Sequence, residues 1–318
     1  MVKLDVKYST HTQYRSATIS HITGPSNAIM NRNISNITGP SLEFQIGSGL
    51  LGFGVLLGLP GNIFVVITIL RNFKRDNFTL HLLLNLAACD ILVLLTAPLL
   101  MYNLLFGWHI GDALCKTLNF LTFLGVYSSV LTVTLISVHR YVFVLQPNQW
   151  AKLGKRGEKT LLFILWATAC MACGILLPTF GVTQNGSREF CWRLQMTDSN
   201  RLFILCAEMV LAYIVPFSII STCYFCLHKK VNQTAFFSNQ RMTKLITNIV
   251  VTFLILMTPC FIISILEIFA IFIKSHNAVW YAKLQTIRST SRPVANYLVL
   301  INSCVNPFLY AFNIRTLF

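Results

Sequence analysis

Seven long apolar runs dominate the chain, at about 46–70, 79–105, 113–145, 159–180, 202–228, 242–273 and 291–313. Roughly 20 apolar residues span a bilayer as a helix, at about 1.5 Å per residue. Each run meets that need, and the third and sixth exceed it, which predicts tilt or projection beyond the membrane. The runs do not alternate in the short stretches that a transmembrane barrel requires. The pattern predicts an all-α integral membrane protein, a bundle of seven transmembrane helices. Residues 1–45 form a polar N-terminal tail without an apolar signal-peptide core, and 46–318 form the membrane domain.

Composition agrees. Only 11% of residues are charged, against about 25% in soluble domains, so a soluble enzyme and a disordered chain are excluded. The net charge of +15 points to membrane topology, the anionic inner leaflet and an acidic ligand rather than to nucleic acid. Arg71, Lys74 and Arg75 follow the first run, whereas Arg32 alone lies close before it, which places the N-terminus outside and the C-terminus inside. Basic residues after the third run (Lys152, Lys155, Arg156, Lys159) and the fifth (Lys229, Lys230, Arg241, Lys244) agree. The basic loop 274–292, with Lys274, Lys283, Arg288 and Arg292, does not. On this topology Asn33, Asn36 and Asn185 are glycosylation candidates, while Asn77 and Asn232 face the cytoplasm.

Eight of ten cysteines fall inside apolar runs and act as small hydrophobes, the Cys170/Cys173 and Cys223/Cys226 pairs included. Cys115 begins the third run and Cys191 lies in the loop between the fourth and fifth, both on the oxidising side, and they are the natural disulfide pair.

Ionisable groups at membrane depth are costly and usually functional. Asp90, Glu208 and Glu267 are such groups, with a structural hydrogen-bond role as the alternative for each. Asn62, Asn85, Ser129, Asn302, Ser303 and Asn306 share mid-depth with Asp90. If they face one another, a monovalent cation would balance the carboxylate; depth alone does not decide this. Pro60, Pro98, Pro178, Pro216, Pro259 and Pro307 allow kinks. No metalloprotease, phosphate-loop or dinucleotide motif is present, no matched pair of groups suggests catalysis, and no Lys in 293–314 can hold retinal.

Short motifs on these runs resemble the rhodopsin-like G-protein-coupled receptors. They are Gly61-Asn62, Asn85-Leu86-Ala87-x-x-Asp90, Cys115, Arg140-Tyr141, Trp166, Pro216 with Tyr224, Phe253 with Pro259, and Asn306-Pro307-Phe308-Leu309-Tyr310, in order along 46–313. Within the family, Gly58-Leu59-Pro60-Gly61-Asn62-x-Phe64-Val65-Val66, Val93–Pro98, Tyr127-Ser128-Ser129-Val130-Leu131 and Ser303–Ala311 look like leukotriene B4 and other chemoattractant receptors. Asn119 stands where those receptors carry His, and their Arg beyond the fourth helix is unmatched.

The resemblance implies a non-enzymatic plasma-membrane receptor. An extracellular ligand, a leukotriene-like lipid or a chemoattractant peptide, would drive a heterotrimeric G protein, with membrane lipids as neighbours. No cofactor is implied beyond a sodium ion on Asp90, Ser129, Asn302 and Asn306. The ligand would meet Tyr127, Glu208 and Arg292, with Glu267 nearby. The switch would comprise His139, Arg140, Tyr141, Tyr224, Phe253, Pro259, Asn306, Pro307 and Tyr310. Three departures stand out: His139 replaces an Asp, Met257 replaces a Trp, and the amphipathic helix after the last motif is cut off at Phe318, as in a fragment or truncated gene model. The first two leave a ligand-binding but non-coupling receptor as an alternative; a transporter or channel is the remote one.

Overall fold

A computed structural model describes residues 42–71, 77–185, 187–231 and 240–311. The helices are α1 (Leu42–Arg71), α2 (Phe78–Phe106), α3 (Asp112–Leu145), α4 (Pro147–Leu176), α5 (Asp198–Met209), α6 (Val215–Val231), α7 (Gln240–Ile273) and α8 (Ala278–Ala311). A hairpin of β1 (Phe180–Asn185) and β2 (Arg188–Arg193) lies between α4 and α5.

The seven expected spans are present. Continuous with α5 and α6, the segment Val210–Ile214 forms a π turn, so these elements make one span. Pro216 explains it: proline has no N–H to offer the carbonyl of Ala212, four residues back, and wider bonding takes over. Accordingly the Val215 N–H donates to Val210 O, five residues back. Among the described residues, six spans are apolar enough to cross a membrane on mean hydropathy. The seventh, α8, is diluted by Pro293, Asn296, Asn302, Asn306 and Pro307.

Helix ends depart from the apolar pattern where the chain leaves the bilayer. α8 begins at Ala278, well inside the loop expected at 274–292, because the Asn277 side chain caps it by accepting the Trp280 N–H at 3.1 Å. α4 likewise begins at Pro147, where proline suits the first helical turn. Asn77, read as a sequon, caps α2 by accepting the Thr79 N–H at 2.9 Å.

α3 is central and touches α2, α4, α6 and α7; α1 and α8 pack together beside α2. A Cβ on Gly61 would fall 2.7 Å from the Pro307 ring, so glycine sets the close approach of α1 to α8. The core of the bundle is filled by Leu82, Leu83, Leu86, Ile136, Ile220, Leu245, Ile246 and Ile249, all essentially inaccessible. Outward-facing apolar residues such as Leu56, Phe163 and Phe225 are exposed, as expected of a lipid-facing surface.

Candidate functional site

The hairpin is fastened over one end of the bundle. Cys115 at the start of α3 is bonded to Cys191 of β2, with the Cα atoms 5.5 Å apart. Asn103 of α2 grips the same residue twice: its Nδ2 donates to Cys191 O at 3.1 Å, and its Oδ1 accepts the Cys191 N–H at 2.9 Å. Asn119 Nδ2 donates to Cys191 Sγ at 3.1 Å. Trp108 is fully buried beneath, its indole N–H donating to Gly111 O at 2.8 Å. The sequence reading missed Asn103, Trp108 and the hairpin itself. The Asn185-Gly186 dipeptide is a hairpin-turn signal that was read only as a sequon.

Under the hairpin, charged groups from β2, α5, α7 and α8 form two clusters. Arg193 donates through both terminal nitrogens to Glu208, one bond at 3.4 Å and the other shorter. Its guanidinium also lies 5.2 Å over the Phe180 ring. Burial opposes the Arg193 charge, yet the Glu208 carboxylate outweighs it and raises the guanidinium pKa above its ordinary value. Tyr127 is buried beside this pair, in electrostatic contact with both partners.

The second cluster centres on Glu267, whose side chain is only 7% exposed. Arg201 donates to Glu267 Oε1 from Nε at 2.7 Å and again from Nη2. Arg288 Nη1 donates to the same oxygen at 3.1 Å, and Arg292 Nη2 donates to Oε2. Arg292 Nη1 reaches Ser264 Oγ at 3.4 Å. The four guanidiniums and two carboxylates leave two net positive charges. Apolar surface lies alongside: Tyr127, Leu176, Phe180 and Ile204 form one cluster, with Phe123 against it.

Of the residues expected to meet a ligand, Tyr127 and Glu208 therefore share the Arg193 cluster, while Arg292 is held by Glu267. Arg292 is thus paired with Glu267 rather than standing as a free ligand anchor. Arg193, Arg201 and Arg288 were not singled out as ligand residues, although Arg201 and Arg288 lie next to apolar runs and Arg193 lies in the loop between two of them.

At mid-depth, Asp90 is fully buried and accepts from Asn306 Nδ2 at 2.7 Å. Its second oxygen, Ser129 Oγ and Asn302 Oδ1 are buried without a hydrogen-bond partner among the described residues. One carboxylate with hydroxyl and amide oxygens suits a monovalent cation with water. Among the described residues no cluster of His, Cys, Asp and Glu would hold a transition metal. Asn85 binds elsewhere, and Asn62 reaches the backbone of Ser303, a member of the same mid-depth set. Asn62 Nδ2 donates to Gly58 O at 3.0 Å and Ser303 O at 2.8 Å. Asn85 donates to Thr132 Oγ1 at 2.7 Å and accepts from Trp166 Nε1 at 2.9 Å, tying α2, α3 and α4.

At the opposite end from the hairpin, His139 is buried among rings. Its centroid lies 4.5 Å from Trp150, 5.3 Å from Phe78 and 5.6 Å from Phe143. Thr79 Oγ1 lies 3.5 Å from His139 Nδ1. Next to it, Arg140 interacts electrostatically with Tyr224; Tyr141 is partly exposed. Val130, Phe253, Met257 and Tyr310 share one buried core. Pro259 and Pro307 lie inside α7 and α8. Asn33 and Asn36 lie outside the described residues, and Asn185 ends β1.

A family model described as the 7 transmembrane receptor (rhodopsin family) matches residues 61–310. Human leukotriene B4 receptor 1 is 29% identical over 82% of this chain and 75% of its own. Chemerin-like receptor 2 of Rattus norvegicus is 27% identical over 85% and 76%, and C-C chemokine receptor type 8 of Mus musculus is 28% identical over 85% and 78%.

Proposed function

Given that this chain belongs to the rhodopsin family of seven-transmembrane receptors, we propose that it binds an acidic lipid mediator of leukotriene type from outside the cell and activates a heterotrimeric G protein inside. The observation that carries the ligand class is the charge imbalance beneath the hairpin. Four arginines face two carboxylates, beside the aromatic and aliphatic surface of Phe123, Tyr127, Phe180 and Ile204. A carboxylate would pair with a guanidinium in a two-point geometry, and an acyl chain would lie on the apolar wall. Similarity to leukotriene B4 receptor 1 supports the same reading.

In this proposal the hairpin end is extracellular. The bridge at that end favours an oxidising compartment. Residues 1–45 are then an outer tail glycosylated at Asn33 and Asn36, and the C-terminus is cytoplasmic. Ligand acts by binding the active conformation more tightly than the resting one. A sodium ion at Asp90, Ser129, Asn302 and Asn306 favours the resting state. His139, Arg140, Tyr141, Tyr224, Phe253, Pro259, Asn306, Pro307 and Tyr310 relay the change inward.

A second reading, a chemoattractant peptide ligand, draws on the chemerin-like and chemokine receptors, which match at nearly the same identity. Ligand-stimulated GTP exchange against lipid mediators and chemotactic peptides, with the chain carried in cells, tests both. Response to acidic lipids supports the first, and response to peptides alone replaces it with the second. Ligand binding without GTP exchange would make the protein a non-coupling receptor.

A further inference from the structure

The end of α4 remote from the hairpin carries a charged face that the arginine clusters do not use. Gly154 has φ 60°, in the left-handed region that glycine tolerates, and it kinks α4. Just beyond the kink, Lys155, Arg156, Lys159, Thr160 and Phe163 line an open cavity of about 450 Å³. All five are exposed. Their spacing places them along one side of the helix. No acid lines the cavity. The neighbouring acid, Glu158, is half-buried and accepts from Trp150 Nε1 at 3.2 Å, which turns it toward that ring.

The apolar residue completes the pattern. Phe163 is 75% exposed, and at helical rise it sits about 6 Å further along the axis than Lys159. The order along the span is therefore cations, a hydroxyl, then an exposed aromatic ring. A soluble anion would use the cations and gain nothing from Phe163. An anionic phospholipid would use both, with its phosphate among Lys155, Arg156 and Lys159 and an acyl chain along the ring.

We propose that this face of α4 is a binding site for an anionic phospholipid of the cytoplasmic leaflet. The inference rests on the topology proposed above. The bridged hairpin follows the far end of α4, so Lys155 lies on the opposite side of the membrane, where the anionic lipids are.

The test uses the full chain in nanodiscs of phosphatidylcholine, with or without phosphatidylserine, and native mass spectrometry of the lipids that stay bound. The wild type keeps phosphatidylserine in preference to phosphatidylcholine. Removing the cations one by one as K155A, R156A and K159A lowers that retention by roughly fivefold for each cation. Phe163→Ala weakens it with all three cations in place. Lys283→Ala, which removes a cation lying 5.0 Å over Trp280 on α8, leaves it unchanged. If the triple variant does not fold, R156A alone carries the comparison. Unchanged retention in a variant that melts like the wild type overturns the proposal. Competition by glycerophosphoserine as effective as by the intact lipid overturns it in favour of a soluble-anion site. Loss of GTP exchange in the cation variants, with their phosphatidylserine retention intact, overturns it in favour of a protein contact. An epitope inserted after Gln146 that antibody reaches on intact cells shows that the topology failed, and takes the proposal with it.

Discussion

Arg292 of α8 donates to Glu267 of α7, and the same carboxylate is held by Arg201 of α5 and Arg288 of α8. One buried acid thus joins the outer ends of three helices, and any acidic ligand that reaches Arg292 competes with Glu267 for it. Hydrogen bonds to charged groups contribute about 1.5–3 kcal/mol. Arg292→Ala is expected to weaken acidic ligands by roughly ten- to a hundredfold on that scale, and neutral analogues far less. Equal loss for neutral and acidic ligands, in competition binding at matched surface expression, would show that Arg292 serves only to hold Glu267.

Glu267→Gln separates the two roles from the other side. The amide keeps the volume but removes the charge that three guanidiniums share. Free arginine is then presented to the cavity, so affinity for an acidic ligand should rise while thermal stability falls. Leaving buried charge uncompensated costs about 3–5 kcal/mol when the pair is fully buried, and less here because the arginines are 22–33% exposed. A melting curve and a saturation isotherm on the same preparation read both effects. A stable variant with unchanged affinity would mean that the cluster does not contact ligand.

Cys191 is held by its bridge to Cys115 and by two hydrogen bonds with Asn103, one donated and one accepted by the amide. Loss of a native disulfide costs about 2–5 kcal/mol. Cys115→Ser or Cys191→Ser should therefore deplete surface receptor and ligand binding. Asn103→Ala should do so more weakly, because the bridge still closes. Detection of both cysteines as free thiols by mass spectrometry of the purified wild type would refute the bridge.

Asp90 offers one oxygen to Asn306 and keeps another unpartnered, and Ser129 and Asn302 also carry buried oxygens without a partner among the described residues. If sodium fills this set, raising sodium weakens agonist binding, and Asp90→Asn abolishes the dependence while leaving the Asn306 contact sterically intact. A mutant that retains the wild-type sodium response would reduce the cluster to a structural role.

The spans and their order were legible because water-to-lipid transfer writes itself as long apolar runs, and Cys115 and Cys191 stood out by lying at a run's end and in a loop. What the runs do not encode is what happens beyond the bilayer. There helices continue on caps such as Asn277, and a hairpin forms on a local turn signal, both without apolar cost. Direction within a span was also hidden. Asn85 shares depth with Asp90 yet binds Thr132 and Trp166, because depth carries no information about which side of a helix a residue occupies. The arginine clusters were hidden for a related reason. Arg193, Arg201 and Arg288 read as loop or helix-end charges until folding brought them against Glu208 and Glu267.

His139 stands before Arg140, where this family usually has an Asp that holds the arginine in the resting state. An imidazole offers no negative charge in either protonation state. The structure adds that the ring is packed against Trp150, Phe78 and Phe143, with Thr79 beside it. The ring therefore packs among aromatic side chains, and Arg140 interacts electrostatically with Tyr224. An exposed ion pair contributes about 0–1 kcal/mol, and a partly buried one more. His139→Asp should accordingly lower basal GTP exchange by a few-fold, measured in the same cells at matched surface expression. The substitution also removes the ring from its aromatic surroundings, so a fall alone does not identify the charge. His139→Asn removes the same ring without adding charge. If Asp lowers basal exchange and Asn does not, the missing acid sets the balance. If both lower it equally, ring packing is responsible. If neither does, the resting state is held by the apolar core of Val130, Phe253, Met257 and Tyr310, and Met257→Ala becomes the variant that should shift it.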